Sequence, residues 1–183
     1  MTRVLAFDTS MTQPGVAIIE VKRGKPFIVD MSYITTDSKS QSHGLRADLI
    51  ESWATLFIAK HAKKGFDYVT REDFQGQSSM QNYPVMAAWS GCERAVEKFG
   101  FKFDKFTYTL KNGRKKTALG IGQSQVKLLV TGKGKAEKSE VAQAVRDWTG
   151  YDGEFEVDDM SDAAAIGLAY LINEGIITKG ETK

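Results

Sequence analysis

Four carboxylates stand where predicted elements begin or end. Asp8 closes a short apolar run, Val4-Leu5-Ala6-Phe7, and Glu72 follows a second run from Asp67 to Arg71. Asp159 and Asp162 open an alanine-rich helical segment, three residues apart and therefore on one helix face. If the two runs are neighbouring strands, Asp8 and Glu72 lie side by side at one edge of a sheet, and the helix start can deliver the other pair to the same point. Carboxylates gathered in this way repel unless cations sit among them. An oxygen-only ligand set suits Mg²⁺ or Mn²⁺. Two such ions roughly 3.5–4 Å apart would activate a water and stabilise the leaving oxygen in phosphodiester hydrolysis. Each acid also has an ordinary reading. Asp8 before Thr9-Ser10 can be a turn former, Asp158 an N-cap, Asp159 an acid favoured by the helix dipole, and Glu72 a surface acid on an edge strand.

The elements that must position these acids can be read from periodicity. Arg3 to Phe7, Gly15 to Val21 and Phe27 to Thr35 read as strands joined by short turns at Pro14-Gly15 and Arg23-Gly24-Lys25-Pro26, an antiparallel meander. Ser42 to Lys64 has apolar residues at helical spacing (Leu45, Leu49, Trp53, Leu56, Phe57), with Gly65 placed to end it. Asp67 to Arg71 is a fourth strand, Pro84 to Phe99 a second helix, and Phe101 to Leu110 a fifth strand. Gln123 to Val130, Ala136 to Thr149 and Asp159 to Asn173 read as helices, with a basic glycine-broken loop at Thr131 to Lys135 and an acidic loop at Tyr151 to Val157. Antiparallel strands first and alternating units later predict an α/β protein: a mixed five-stranded sheet with helices on both faces. The 183 residues suit one domain over 1–183.

Net charge is +2, so total charge predicts no partner, but its distribution does. Lys111 to Lys138 holds eight basic residues (Lys111, Arg114, Lys115, Lys116, Lys127, Lys133, Lys135, Lys138) against one acid, Glu137, and Asp152 to Asp162 holds six acids and no base. A basic stretch beside an acidic one suits a protein that holds a polyanion and also binds metal ions, although two solvated surface segments would look the same. No apolar run approaches the roughly 20 residues of a membrane span. The start of the chain lacks the cleavage signature of a signal peptide, and the lone Cys92 has no internal disulfide partner. Together these predict an intracellular, cytoplasmic setting.

Four blocks of the chain, in order, resemble the RuvC family of Holliday junction resolvases. Val4-Leu5-Ala6-Phe7-Asp8-Thr9-Ser10 with Gly15-Val16-Ala17 is similar to its opening, and Asp67-Tyr68-Val69-Thr70-Arg71-Glu72 to its glutamate-bearing strand. Gln125-Val126-Lys127 with Thr131-Gly132-Lys133-Gly134-Lys135-Ala136-Glu137-Lys138-Ser139 resembles its basic segment. Asp159-Met160-Ser161-Asp162-Ala163-Ala164-Ala165-Ile166-Gly167 resembles its C-terminal helix. The resemblance implies an RNase H-like fold and a homodimer of bacterial or phage origin, with Mg²⁺- or Mn²⁺-dependent cutting of four-way DNA junctions and other branched DNA. Position by position, it implies metal ligands Asp8, Glu72, Asp159 and Asp162, two ions per site, and catalytic lysines Lys127 and Lys138 near the scissile phosphate. Arg114, Lys115, Lys116, Lys133 and Lys135 are expected to contact phosphates rather than bases. The helix Pro84 to Phe99 is the expected dimer contact, through Met86, Ala87, Trp89 and Ser90.

The chain departs from the family pattern around Glu72. Arg71 stands where an apolar residue is usual, and Asp73 competes with Glu72 as a ligand; strand alternation allows only one of these two acids to reach the metals. Phe74, the nearest candidate for an aromatic that stacks at the junction centre and so for a DNA contact, comes one position early. Two other readings follow: a branched-DNA nuclease with loose structure preference, acting on forks and flaps, or a protein that binds branched DNA without cutting. Asp8-Thr9-Ser10 also resembles the phosphate turn of actin-like ATPases, but those need a second domain and a second glycine-rich loop. His43 and His61 have spacing that suits neither a zinc pair nor a catalytic dyad.

Overall fold

The computed structural model describes residues 1–73, 78–109 and 112–178. Its centre is a sheet of five strands in the order β3-β2-β1-β4-β7. The strands β1 (Thr2–Asp8), β2 (Gly15–Lys22) and β3 (Lys25–Tyr33) form the predicted antiparallel meander, and β4 (Tyr68–Asp73) lies parallel to β1. Side chains alternate faces along each strand. On β1, Leu5 and Phe7 enter one core, against helices α1 (His43–His61) and α2 (Ser79–Glu97). Val4 and Ala6 enter the other, against α3 (Gln123–Thr131), α4 (Lys138–Thr149) and α5 (Asp158–Asn173). Helices therefore cover both faces, as expected, and the mixed sheet has five strands.

The fifth strand is not the predicted one. Phe106–Thr109 forms β5, which pairs only with β6 (Lys115–Ala118) in a separate hairpin. Residues 101–105 are drawn away from strand geometry: Phe101 and Phe103 pack into the α1–α2 core. Asp104 accepts the Val69 N–H at 2.8 Å and donates its own N–H to Val69 O at 2.8 Å. The place beside β4 goes to a two-residue strand, β7 (Ile121–Gly122), parallel to Glu72 and Asp73. Gly120, just before it, lies against β4 so closely that a Cβ there would come 2.6 Å from Arg71 O.

The helices start and stop close to expectation, with one exception. Ser42 caps α1 by accepting the Leu45 N–H, and Gly65 takes a positive φ after it. Glu137 and Glu140 form a reciprocal capping box at the start of α4. In α2, however, Pro84 does not open the helix but lies inside it. A proline there leaves one carbonyl of the first turn without its donor. That turn is exposed (Met80 retains 86% of its surface), so water can satisfy the orphan.

Candidate active site

Strand parity sends Asp8 and Glu72 to the α5 side of the sheet. Asp8 follows Val4 and Ala6 in phase, and Glu72 follows Tyr68, which packs in the same core. The parallel register of β1 and β4 pairs Phe7 with Arg71, so the next step sets Asp8 beside Glu72. The first turn of α5 reaches the same point because Gly15 is the partner of Asp8 on β2. A Cβ at Gly15 would lie 2.2 Å from Asp159 O, a distance no side chain survives. The alanines of α5 let the helix sit low on the sheet, with eleven of its residues buried.

Asp8, Glu72, Asp159 and Asp162 thus line one cleft of about 200 Å³, together with Lys127, Lys138 and Gln123. Asp8 is 7% exposed. Burial, then the charges of Glu72, Asp162 and Asp159, push its carboxyl well above the ordinary aspartate range. Glu72 and Asp159 are raised as well, chiefly by burial, and burial pushes Asp162 to about 6. Lys138 bridges the mouth of the cleft, 3.3 Å from Asp158 and 3.9 Å from Asp162. Burial alone would lower its pKa, but Asp158, Asp162 and Asp159 outweigh that and raise it.

Asp73 and Asp158, the two alternative acids, fall outside this cleft. Asp73 lines a separate cleft on the far side of Glu72. Asp158 is exposed and engaged with Lys138.

The chemistry of the four acids fits a hard divalent cation. The donors are oxygens only, the surroundings are half-buried, and the excess of negative charge is met by two lysines. Among the described residues no three His, Cys, Asp or Glu side chains are placed so as to hold a metal ion as they stand, so the four acids share a cleft without forming a ready coordination site.

The basic residues divide. Arg114, Lys115 and Lys116 are exposed on the β5–β6 hairpin, and Lys135 is exposed in the loop before α4. Lys133 is tied to Glu140 at 2.7 Å, so the expected free phosphate contact is already ion-paired. That loop follows the C-terminus of α3, with Gly132 as its left-handed cap, and not a strand as a phosphate-binding loop of an ATPase would. Phe74 lies outside the described residues.

One expectation about α2 is revised. Met80, Tyr83 and Met86 are its exposed apolar residues, whereas Trp89, expected on the dimer surface, is 7% exposed and faces inward. Its indole N–H donates to Thr9 Oγ1 at 2.7 Å. Arg71, odd in sequence, is explained by the same helix: strand alternation turns it away from Glu72, and its guanidinium lies 4.3 Å from the Trp89 ring centroid and 4.7 Å from that of Phe103. Sequence reasoning missed this cluster because its residues are far apart along the chain. The histidines stand apart from the cleft. His61 pairs with Asp30 at 2.8 Å and His43 packs on Tyr83.

No family model matches this chain. Curated relatives do: the crossover junction endodeoxyribonuclease RuvC of Prochlorococcus marinus strain MIT 9312 is 25% identical, over 94% of this chain and 98% of its own. The RuvC of Prochlorococcus marinus subsp. pastoris is 28% identical over 94% and 98%, and that of Campylobacter jejuni strain 81116 is 25% identical over 93% and 96%. The chain is similar in sequence to the RuvC endonucleases over nearly its whole length. Among solved structures, Thermus thermophilus RuvC in complex with a Holliday junction substrate superposes with a TM-score of 0.75 at 21% identity, covering 96% of this chain and 98% of that one. Thermus RuvC in a further structure gives 0.73 at 20% identity. This likeness to RuvC is one of fold, and it extends along nearly the whole length of both chains. Among the described residues no helix is long and apolar enough to cross a membrane.

Proposed function

We propose that this protein is a metal-dependent endonuclease that cuts branched DNA, with four-way junctions as its preferred substrate. The observation that carries the reading is the convergence of Asp8, Glu72, Asp159 and Asp162 from β1, β4 and α5 into one cleft that also holds Lys127 and Lys138. The kinship with RuvC endonucleases over 94% of the chain supports the same assignment.

Asp8, Glu72, Asp159 and Asp162 would hold the divalent cations, two Mg²⁺ or Mn²⁺ in this reading. Bound ions of this kind supply Lewis acidity, a nucleophile at neutral pH and charge neutralisation for phosphodiester hydrolysis. Asp8, the most buried of the four, would hold the cation as the ionised carboxylate. Asp159 and Asp162 would reach the cation from the N-terminal end of α5. Lys138 exchanges its ion pairs with Asp158 and Asp162 for a phosphate oxygen, and Lys127 faces the cleft from α3. Both lysines offset the charge that builds on the phosphate as the bond breaks. The exposed Arg114, Lys115, Lys116 and Lys135 hold the DNA by its phosphates. A junction presents two strands for cutting, so a homodimer supplies the second site, and the exposed Met80, Tyr83 and Met86 of α2 are the surface available for it.

The test is cleavage of a labelled four-way junction, a fork and a linear duplex with Mg²⁺, Mn²⁺ or EDTA, with Asp8→Asn and Glu72→Gln in parallel. Paired nicks on the junction that need metal and vanish in both variants are the expected result. Equal cutting of forks and junctions identifies a general branch nuclease, and binding without cutting under any metal overturns the enzymatic reading.

A further inference from the structure

Among the described residues that line the carboxylate cleft, Gln123 is the one neutral polar side chain, beside four acids and two lysines. Its place is set by β7. The parallel pairing of β4 with β7 sets Ile121 beside Glu72 and Gly122 beside Asp73. Ile121 is buried in the core on the α5 side, the side to which Glu72 points. Gly122 continues the chain in extended form (φ −64°, ψ 143°), so strand parity carries over to Gln123, which opens α3 on the Glu72 side. The start of α3 is held tightly there: a Cβ at Gly120 would come 2.6 Å from Arg71 O and 2.9 Å from the carbonyl carbon of Glu72. Lys127 follows Gln123 by four residues, on the same face of α3, and lines the same cleft. The amide therefore enters the cleft from the same wall as Lys127.

An amide does there what a further lysine would not. Among four acids an ammonium group forms ion pairs, as Lys138 does with Asp158 and Asp162. A neutral amide is held less strongly by carboxylates, and its two N–H donors stay available to a phosphate oxygen. The non-bridging oxygens are where charge is redistributed as a phosphodiester breaks. A donor aimed at such an oxygen acts on the rate more than on binding, because the bond is strongest in the transition state. We infer that Gln123 is a catalytic residue, its side-chain amide donating a hydrogen bond to a non-bridging oxygen of the scissile phosphate. The inference rests on the proposed nuclease function. It adds to the two lysines a donor that brings no charge into a site already crowded with charges.

The test is single-turnover cutting of a four-way junction by the full-length protein and by Gln123→Met, which keeps the length of the side chain and loses the donors. Gln123 is exposed at a helix start, where substitutions cost little stability. The rate at saturating protein should fall roughly ten- to a hundred-fold, less than the largest losses at a buried donor. Junction affinity in Ca²⁺, and Mn²⁺ affinity without DNA, should stay near wild type. Each non-bridging oxygen at the cut is then replaced in turn by sulfur, a weak acceptor. One of the two replacements should slow the wild type in Mg²⁺ without recovery in Mn²⁺, which separates an oxygen that meets the amide from one that meets a cation. That loss should vanish in Gln123→Met. A variant that cuts at the wild-type rate overturns the inference and leaves the nuclease reading intact. So does a variant whose Mn²⁺ affinity falls along with its rate, which would make the amide a support for Glu72, and so do sulfur effects of equal size in both proteins. A wild type that cuts no junction with any metal would instead overturn the nuclease reading, and the inference with it.

Discussion

The indole N–H of Trp89 donates to Thr9 Oγ1 at 2.7 Å, and the same ring lies 4.3 Å from the Arg71 guanidinium. Thr9 follows Asp8 and Arg71 precedes Glu72. One side chain of α2 therefore braces the ends of both strands that present the two deepest carboxylates, from the face opposite the cleft. Trp89→Phe removes the hydrogen bond and keeps the ring. It should cost about 1 kcal/mol of stability and weaken Mn²⁺ binding several-fold, read by titration of the protein without DNA. Thr9→Ser, which keeps the acceptor, should leave Mn²⁺ affinity near wild type. Equal affinity in wild type and Trp89→Phe would show that the brace does not position the carboxylates.

The raised carboxylates make the metal-free protein sensitive to pH in a definite direction. Asp162 ionises near 6 in the folded chain, against about 3.9 when unfolded. Asp8, Glu72 and Asp159 shift the same way. Between those values the folded state binds more protons than the unfolded state, so stability is fully present below about pH 4 for these groups and is lost as pH rises through 6. In EDTA the Tm should fall from pH 4.5 to pH 7.5. Mg²⁺ should restore it at the upper end, where the ionised acids can bind the ion. Asp8→Asn should flatten the EDTA profile. A Tm that climbs steadily across that window in EDTA would contradict the arrangement of the four acids.

Arg71 is a buried cation with two guanidinium nitrogens, Nε and Nη1, lacking a hydrogen bond, and its nearest acid, Glu93, is 3.9 Å away. Burial lowers its pKa. Replacing a poorly compensated buried charge by an apolar side chain of similar length is often neutral or stabilising. Arg71→Met should therefore hold or raise stability by about 1 kcal/mol in urea unfolding, whereas Arg71→Ala, which empties the space between Trp89 and Phe103, should cost about 2–4 kcal/mol. A large loss in Arg71→Met would mean that the charge itself is needed.

The basic hairpin should make binding steeply dependent on salt. Lys115→Ala and Lys116→Ala should each reduce the slope of log K against log salt by about 0.9 if each side chain neutralises one phosphate. Lys133→Ala should change it less, because Lys133 is already paired with Glu140. Affinities of a four-way junction from low to moderate salt would show this, and a larger effect at Lys133 than at Lys116 would refute the assignment.

Much of this protein is determined locally. The meander, the α1 cap at Ser42 and the alanine-rich last helix follow from side-chain period and turn chemistry, which act over a few residues. The four carboxylates were visible because each sits at an element boundary, where a polar side chain can end an apolar run. What only the tertiary structure decided depends on strand parity and on contacts distant in sequence. Parity separates Glu72 from Arg71 and Asp73. The close approach at Gly15 brings α5 to Asp8 across more than a hundred residues. Asp104 holds residues 101–105 to β4, so that the sheet's last place is taken by Ile121–Gly122. Trp89, offered as a dimer contact by family resemblance, is instead buried within the chain because it packs on Arg71 and bonds Thr9. Local periodicity states which face of an element is apolar; only the packed chain states what that face meets.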